Sequence, residues 1–254
     1  MKTKFIHFVK MSGAGNDFII VDAAEVKDAK KLAVRMCDRT NGIGADGLLI
    51  LDKSTKADYR MRIINADGSE AEMCGNGSRC MAAYIVAYKN PKKALFSIET
   101  IAGEILAKAK GETAHVRLSN PKDYRADVPL EISGRQIHAN YIDTGVPHAV
   151  IFVSGLPDID VNTIGRAVRF HPAFQPRGTN VNFVEQVRAG LVAARTYERG
   201  VEGETKACGT GSVASAIVAY LKSNPGSINV TKGKMAARTK SGEILHITFD
   251  KNND

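Results

Sequence analysis

Two short segments carry the residues best suited to chemistry, and they carry them in one arrangement: Glu72-Met-Cys-Gly-Asn-Gly-Ser78 and Lys206-Ala-Cys-Gly-Thr-Gly-Ser212. In each, a cysteine sits in a glycine-rich turn just before a stretch that reads as a helix. Glycine permits positive φ and close backbone approach. The first N–H groups of a helix lack intrahelical acceptors, so they form a ready site for an anion such as a carboxylate. The same field lowers a thiol's pKa from about 8.5 toward neutrality. Cys74 and Cys208 are therefore each an activatable thiol beside an anion cradle. If the two turns face one carbon, a thiolate can take a proton from one side while a thiol returns one to the other. The helix N–H groups would stabilise the enediolate-like charge that develops on the carboxylate. This is the chemistry of cofactor-independent racemisation or epimerisation. A lone nucleophilic cysteine would call instead for a neighbouring histidine, and a disulfide between the two is the alternative use of the pair.

The other two cysteines, Cys37 and Cys80, read as small buried apolar residues. None of the four forms a CxxC or a paired metal-ligand spacing, so zinc ribbons and thioredoxin-type motifs are disfavoured and no metal is expected. The 254 residues are 44% hydrophobic and 24% charged, the composition of a globular chain with ample core. The net charge of +8 is spread out, aromatic residues are only 6% and tryptophan is absent. That argues against a nucleic-acid partner and for attraction of small carboxylates. No stretch approaches the roughly 20 apolar residues of a membrane span, and the start lacks a signal-peptide core, so a cytoplasmic location is expected.

The two cysteine turns belong to a longer internal repeat. At the offset that places Cys74-Gly75 on Cys208-Gly209, Gly44 falls on Gly178, Glu70 on Glu204, Gly77-Ser78 on Gly211-Ser212, Ala82 on Ala216 and Asn90-Pro91 on Asn224-Pro225. Gly103-Glu-Ile-Leu106 recurs as Gly242-Glu-Ile-Leu245 with a slight drift. A single duplication explains this better than a solenoid, whose period is far shorter. The expected halves are residues 1–122, with Cys74, and 123–254, with Cys208. Apolar runs bounded by turn residues predict strands at Phe18–Val21, Leu48–Leu51, Tyr59–Ile64 and Phe96–Thr100. In the second half they predict Tyr141-Ile142, Ala149–Val153, Val181–Val184 and Leu191–Thr196. A helix is predicted at Ser78–Lys89 and at Ser212–Ser223, each stopped by Asn-Pro. Both are apolar nearly all round and so should be buried on every face. The expected fold is α+β: two pseudo-symmetric domains, each a mostly antiparallel sheet or barrel wrapped around a central helix.

With these motifs in place, the chain closely resembles the diaminopimelate epimerases. The matching segments are Met11-Ser-Gly-Ala-Gly-Asn-Asp-Phe18, Gly42-Ile-Gly-Ala-Asp-Gly-Leu48, Asn65-Ala-Asp-Gly-Ser-Glu70 and Cys74-Gly-Asn-Gly-Ser-Arg-Cys80. In the second half they are Gly145-Val-Pro-His148, Gly178-Thr-Asn-Val-Asn-Phe183, Tyr197-Glu-Arg-Gly200 and Glu204-Thr-Lys-Ala-Cys-Gly-Thr-Gly211. The resemblance implies interconversion of LL- and meso-2,6-diaminopimelate without cofactor, in lysine and cell-wall synthesis. It implies that Cys74 and Cys208 are the acid/base pair and that Gly75-Asn76 and Gly209-Thr210 are the carboxylate cradles. Glu198, with Asn16 nearby, resembles the group engaging the reacting ammonium. Asn65, Asn180 and Arg199 resemble those holding the distal end, a sensible use of an arginine. His148 resembles a histidine that supports the site.

Three features depart from the family pattern. Val146 stands where some members have a substrate-contacting Asn, and Gly47 where some have Gln. The second half also stops at Asp254 without a counterpart of His115-Val-Arg-Leu-Ser-Asn-Pro121, so a usual last strand is expected to be lacking. Such a strand would help complete a homodimer, a possible assembly here. Val146 and Gly47 keep open a racemase acting on another amino acid, such as histidine, on the same scaffold. A thiol redox protein is the alternative of a different class.

Overall fold

In the first half, apolar runs form strands that are covered on both faces, so their hydrophobicity is continuous rather than alternating. The structure is a computed structural model that describes residues 5–93, 95–111, 113–224 and 232–250. It divides into two compact units, Met1–Leu118 and Ser119–Asp254. In the first unit the strands are β1 (Val9–Gly13), β2 (Asn16–Asp22), β3 (Gly47–Asp52), β4 (Tyr59–Asn65), β5 (Glu70–Ala71), β6 (Leu95–Thr100), β7 (Gly103–Lys110) and β8 (Thr113–Arg117). They form one sheet in the order β1-β2-β3-β4-β6-β7-β8, with β5 paired to β4. The β2–β3 and β4–β6 pairs are parallel and the others antiparallel.

Two helices cover this sheet, α1 (Ala29–Cys37) and α2 (Gly75–Tyr84). Because side chains alternate along a strand, Phe18, Ile20, Leu49, Leu51, Met61 and Ile63 pack with Cys80, Met81 and Ile85 of the α2 segment. Their neighbours Ile19, Val21, Leu48, Ile50 and Ile64 pack with Ala33, Met36 and Cys37 of α1. The sheet curls, so α2 touches β1, β2, β3, β4, β7 and β8 together. Cys37 and Cys80 are buried packing residues, and burial pushes the Cys37 thiol up to about 11.

The second unit repeats the plan. Its strands are β9 (Lys122–Ile132), β10 (Arg135–Asp143), β11 (Pro147–Phe152), β12 (Asn180–Arg188), β13 (Leu191–Glu198), β14 (Gly203–Thr205), β15 (Lys232–Arg238) and β16 (Ile244–Asp250). The order is β9-β10-β11-β12-β13-β15-β16, with β14 paired to β13. The parallel pairs β11–β12 and β13–β15 fall where β2–β3 and β4–β6 fall in the first sheet. The helix α4 (Gly209–Ser223) takes the inner face with Ile142, Val150, Val184 and Val192. The helix α3 (Val161–Arg169) takes the outer one with Ala149, Ile151, Val181 and Phe183. The architecture is thus α+β with two sheet-rich, pseudo-symmetric units. Among the described residues the repeat ends unequally. The strand β8 has no counterpart after β16, whereas β9 covers an edge of β10 that stays open on β1.

Three local expectations need correction. Both central helices begin three residues earlier than predicted, at Gly75 and Gly209, because each cysteine is itself the N-cap residue. The first helix does not stay buried or regular to its end. Ile85–Lys89 continues as a π-helical turn, and its residues from Ala87 onward are exposed. By contrast α4 is buried from Ala214 to Ala219. The helices α1 and α3 were not anticipated, although Asp28 and Asp160 cap them by accepting from Lys31 N and Thr163 N. Pro225, invoked for the second helix stop, and residues 251–254 lie outside the described residues.

Packing of α3 on β13 makes a stability prediction. A Cβ on Gly165 would fall 2.6 Å from Tyr197 Cβ and 2.8 Å from its Cγ, at the root of a buried ring. Gly165→Ala should lower unfolding stability by about 1–3 kcal/mol despite alanine's better helix propensity. Urea denaturation checks this, and an equal or higher midpoint would refute the packing argument.

Candidate active site

Each cysteine turn is built by the same sequence of contacts. A strand runs in (β4 or β13), a short hairpin strand turns back on it (β5 or β14), and the chain passes through cysteine into the central helix. Arg62 grips Glu70 in a two-pronged ion pair of 2.7 and 2.9 Å across the first hairpin. Arg195 grips Glu204 at 2.7 and 3.0 Å across the second. These forked pairs hold the hairpin in register just ahead of the thiol.

The cysteine side chain then caps the helix. Cys74 Sγ accepts from Gly77 N, and Cys208 Sγ from Gly211 N, both at 3.4 Å. The serine after each glycine closes the turn, Ser78 Oγ and Ser212 Oγ each donating to the cysteine carbonyl at 2.8 Å. The second glycine of each turn leaves little room for a side chain, least of all in the second unit. A Cβ on Gly211 would lie 2.3 Å from Asn182 Oδ1 and 3.2 Å from Cys208 Sγ, and one on Gly77 would lie 3.1 Å from Leu49 Cδ2.

Around Cys74 the structure gathers Asn16, Gly75 and Asn76. Asn76 Nδ2 donates to Asn16 Oδ1 at 2.7 Å, and Asn16 Nδ2 donates to Asp46 Oδ2 at 2.8 Å. Behind them Arg39 bridges Asp17 and Asp46, each at 2.7 Å. The Arg39 guanidinium holds the Asp17 carboxyl down to about 2. Arg79 adds a bond to Asn76 Oδ1 from one helical turn on. Asn65 stands at the same end of the sheet, but its amide bonds Ser69 Oγ of its own turn at 2.9 Å.

Around Cys208 the structure gathers a different set. Glu198 hydrogen-bonds the Cys208 thiol and accepts from Thr205 Oγ1 at 2.6 Å. Burial pushes its carboxyl up, and these two bonds oppose the rise. Thr210 Oγ1 lies 3.5 Å from Cys208 Sγ, and Thr210 O accepts from buried Thr144. Asn180 joins two strands and the next turn, donating to Pro147 O at 3.0 Å and accepting from Arg199 N at 2.8 Å. Arg199 donates from its guanidinium to Arg177 O at 3.1 Å. His148 is fully buried, with Nδ1 3.1 Å from Asn182 Nδ2. Burial pushes its imidazole down to about 3. Asn182, Thr196 and Arg79 were missed by sequence reading. Asn182 had a visible signal: it follows Asn180 by two, so both point to the α4 face. Among the described residues no group of three His, Cys, Asp or Glu side chains is placed to hold a metal.

The model of the diaminopimelate epimerase family matches this chain twice, over residues 8–122 and 140–254. The chain belongs to the diaminopimelate epimerase family. A diaminopimelate epimerase of a Hydrogenobaculum species is 42% identical over 95% of this chain and 90% of its own length. Those of Aquifex aeolicus and Archaeoglobus fulgidus are each 41% identical over 96% of this chain and 90% of their own length. The chain is accordingly an epimerase, an isomerase, and epimerisation of diaminopimelate is the activity its family supports. Two solved structures share the fold at 16% identity. A phenazine biosynthesis protein of the PhzF family from Bacillus anthracis has a TM-score of 0.69 over 96% of this chain and 88% of its own. A probable proline racemase from Agrobacterium radiobacter has 0.67 over 95% and 84%. Among the described residues no helix is long and apolar enough to cross a membrane.

The two departures from the epimerase pattern have local settings. Gly47 faces Asn65 across β3–β4, and a Cβ there would sit 3.1 Å from Ile64 O, so a longer side chain needs a shifted strand. Val146 O accepts from Thr144 N, closing the turn that leads into Pro147-His148.

The state of His148 carries a pH prediction. Its folded pKa of about 3 lies below its ordinary value of 6.5, so the unfolded chain binds this proton more readily. Stability is complete above about pH 6.5 and falls as pH drops toward 3, by at most ~1.4 kcal/mol per pH unit. Between about pH 6.5 and 4.5 most carboxylates stay ionised, but the raised Glu198 carboxyl acts in the opposite sense, so the comparison with His148→Gln isolates the histidine. Denaturant midpoints should fall more steeply with falling pH in the native protein than in His148→Gln; parallel curves would refute the buried neutral imidazole.

Proposed function

We propose that this chain interconverts LL- and meso-2,6-diaminopimelate by a two-base mechanism without cofactor, with Cys74 and Cys208 as the acid/base pair. The observation that carries it is the duplicated capping cysteine in a chain of the diaminopimelate epimerase family. Each sulfur accepts a helix N–H, an arrangement that stabilises negative charge on it. In one direction a thiolate takes the α-proton and becomes a thiol. The electron pair left at carbon delocalises into the α-carboxylate, and the other thiol protonates the opposite face and becomes the thiolate. The reverse reaction exchanges the roles, which is why the two groups should be alike. Gly75-Asn76 and Gly209-Thr210 hold the α-carboxylate, whose charge rises at the transition state. Glu198 and Asn16 engage the reacting ammonium, Asn65, Asn180 and Arg199 the distal end, and His148 supports the site.

The role assigned is a step of lysine and peptidoglycan synthesis in the cytoplasm. The partner is a small amino acid rather than nucleic acid or membrane, and a homodimer is the assembly to test. Cys74→Ala and Cys208→Ala should each lower epimerisation by about 10²–10⁴-fold or more. Epimerisation and α-proton exchange in D2O measure this together. Wild-type rates in both variants would sink the two-thiol reading. A substrate panel turning over a monocarboxylic amino acid, but no diaminopimelate, would sink the substrate.

A further inference from the structure

The equivalence of the two sheets can be carried down to single residues by register. In β2–β3–β4, Phe18 pairs with Gly47, Ile20 with Leu49, and Leu49 with Ile63. In β11–β12–β13, His148 pairs with Asn180, Val150 with Asn182, and Asn182 with Thr196. Phe18, Leu49 and Ile63 thus correspond to His148, Asn182 and Thr196. The glycines confirm the match, since Leu49 backs Gly77 as Asn182 backs Gly211. The first unit fills these inner positions with hydrocarbon and the second buries three polar side chains there, none more than 5% exposed. Burying polar groups is unfavourable unless they are bonded, so the bonds they make are informative.

Those bonds fix every proton. Asn182 has two acceptors on one side, Ala149 O at 3.1 Å and His148 Nδ1 at 3.1 Å. A carbonyl oxygen can only accept, so the amide nitrogen must face it and the oxygen must face Thr196 Oγ1, which donates at 2.9 Å. The second amide hydrogen therefore points at His148 Nδ1, which must carry a lone pair. The proton of the neutral ring is then on Nε2. That atom is buried without a hydrogen-bond partner among the described residues. The charged groups acting on the ring are Asp143, itself paired with Arg177 at 3.0 Å, and Arg199.

We propose that Asn182 is a positioning residue that locks His148 as a neutral Nε2–H donor, presented to an anionic acceptor at the active site. Two anions of the reaction fit a fixed donor, a catalytic thiolate and a substrate carboxylate; an ammonium does not. This builds on the proposed function by stating what the supporting histidine does and why the halves differ. His148 so held orients and stabilises an anion and does not exchange protons in turnover.

Nitrogen-15 NMR of imidazole-labelled native protein tests the lock without reference to turnover. His148 is one of six histidines and is assigned by its loss in His148→Gln. A single Nε2–H tautomer from about pH 5 to 9 is expected. An Nδ1–H tautomer, a tautomer mixture or a protonated ring in that range overturns the proposal. Asn182→Leu, the side chain the first unit uses, should mix the tautomers and lower kcat/KM on the order of tenfold. A raised KM with an unchanged pH profile identifies the carboxylate as acceptor, and a shifted acidic limb of kcat/KM identifies the thiolate. Native-like kinetics with an unchanged tautomer in Asn182→Leu overturn the role of Asn182. Failure of the two-thiol reading would show separately, in the cysteine variants.

Discussion

A backbone N–H pointed at sulfur is the contact from which the rest of each unit can be reconstructed. For Gly77 N to reach Cys74 Sγ, and Gly211 N to reach Cys208 Sγ, the cysteine must leave the helix while keeping its side chain over the first turn. That demands an extended cysteine backbone, and both have one, with φ of −142° and −120°. It also favours a residue without Cβ at the third helical position, because the sheet presses against that point from behind, most closely at Gly211. The arginine–glutamate forks then hold the incoming hairpin, so the turn is gripped at both ends. A helix aimed this way from its first residue has to run through the centre of the sheet, and the sheet curls to cover it.

The motif and the duplication were legible because both are written in residue types that few other structures need. Glycine one and three residues after a cysteine, repeated with glutamate ahead and serine behind, leaves little freedom. The inner strands β2, β3, β4, β6 and β10–β13 were legible too, as apolar runs, whereas β1, β5, β9, β14 and β15 carry no such run and went unread. The helix starts were misplaced by the same contact that matters most. Cysteine is not among the residues expected to cap a helix, so the turn seemed to end at serine rather than begin at cysteine. The helices α1 and α3 escaped because they expose one side: Lys30, Lys31 and Arg35 interrupt the apolar pattern of α1, as Asn162, Thr163 and Arg166 do in α3. Their capping aspartates were the available sign.

Asn182 and Thr196 were harder for a physical reason. Each lies inside a run of buried residues, where a single polar side chain reads as an exposed position on an alternating strand. Only the register shows that these side chains meet one another and the ring of His148. Sequence offset alone hides the comparison, since relative to the cysteine turns the strands drift by one residue at Leu49/Asn182 and Ile63/Thr196 and by four at Phe18/His148.

The two halves therefore agree at the capped thiols and differ in the side chains around them. Under the proposed reaction this division has a cause. Taking a proton from one face of a carbon and returning it to the other is a symmetrical task, and two copies of one capped thiol suit it. The carbon itself is not symmetrical, for it carries an amine, a carboxylate and a side chain in different directions. Groups that distinguish those three cannot be equivalent under the repeat. The first unit retains the apolar inner surface of Phe18, Leu49 and Ile63, while the second accepts the desolvation of His148, Asn182 and Thr196 and offsets it by bonding them to one another. A network whose protons all have one allowed position is rigid, and rigidity is what a donor needs if it is to hold an anion in place while charge shifts along the substrate.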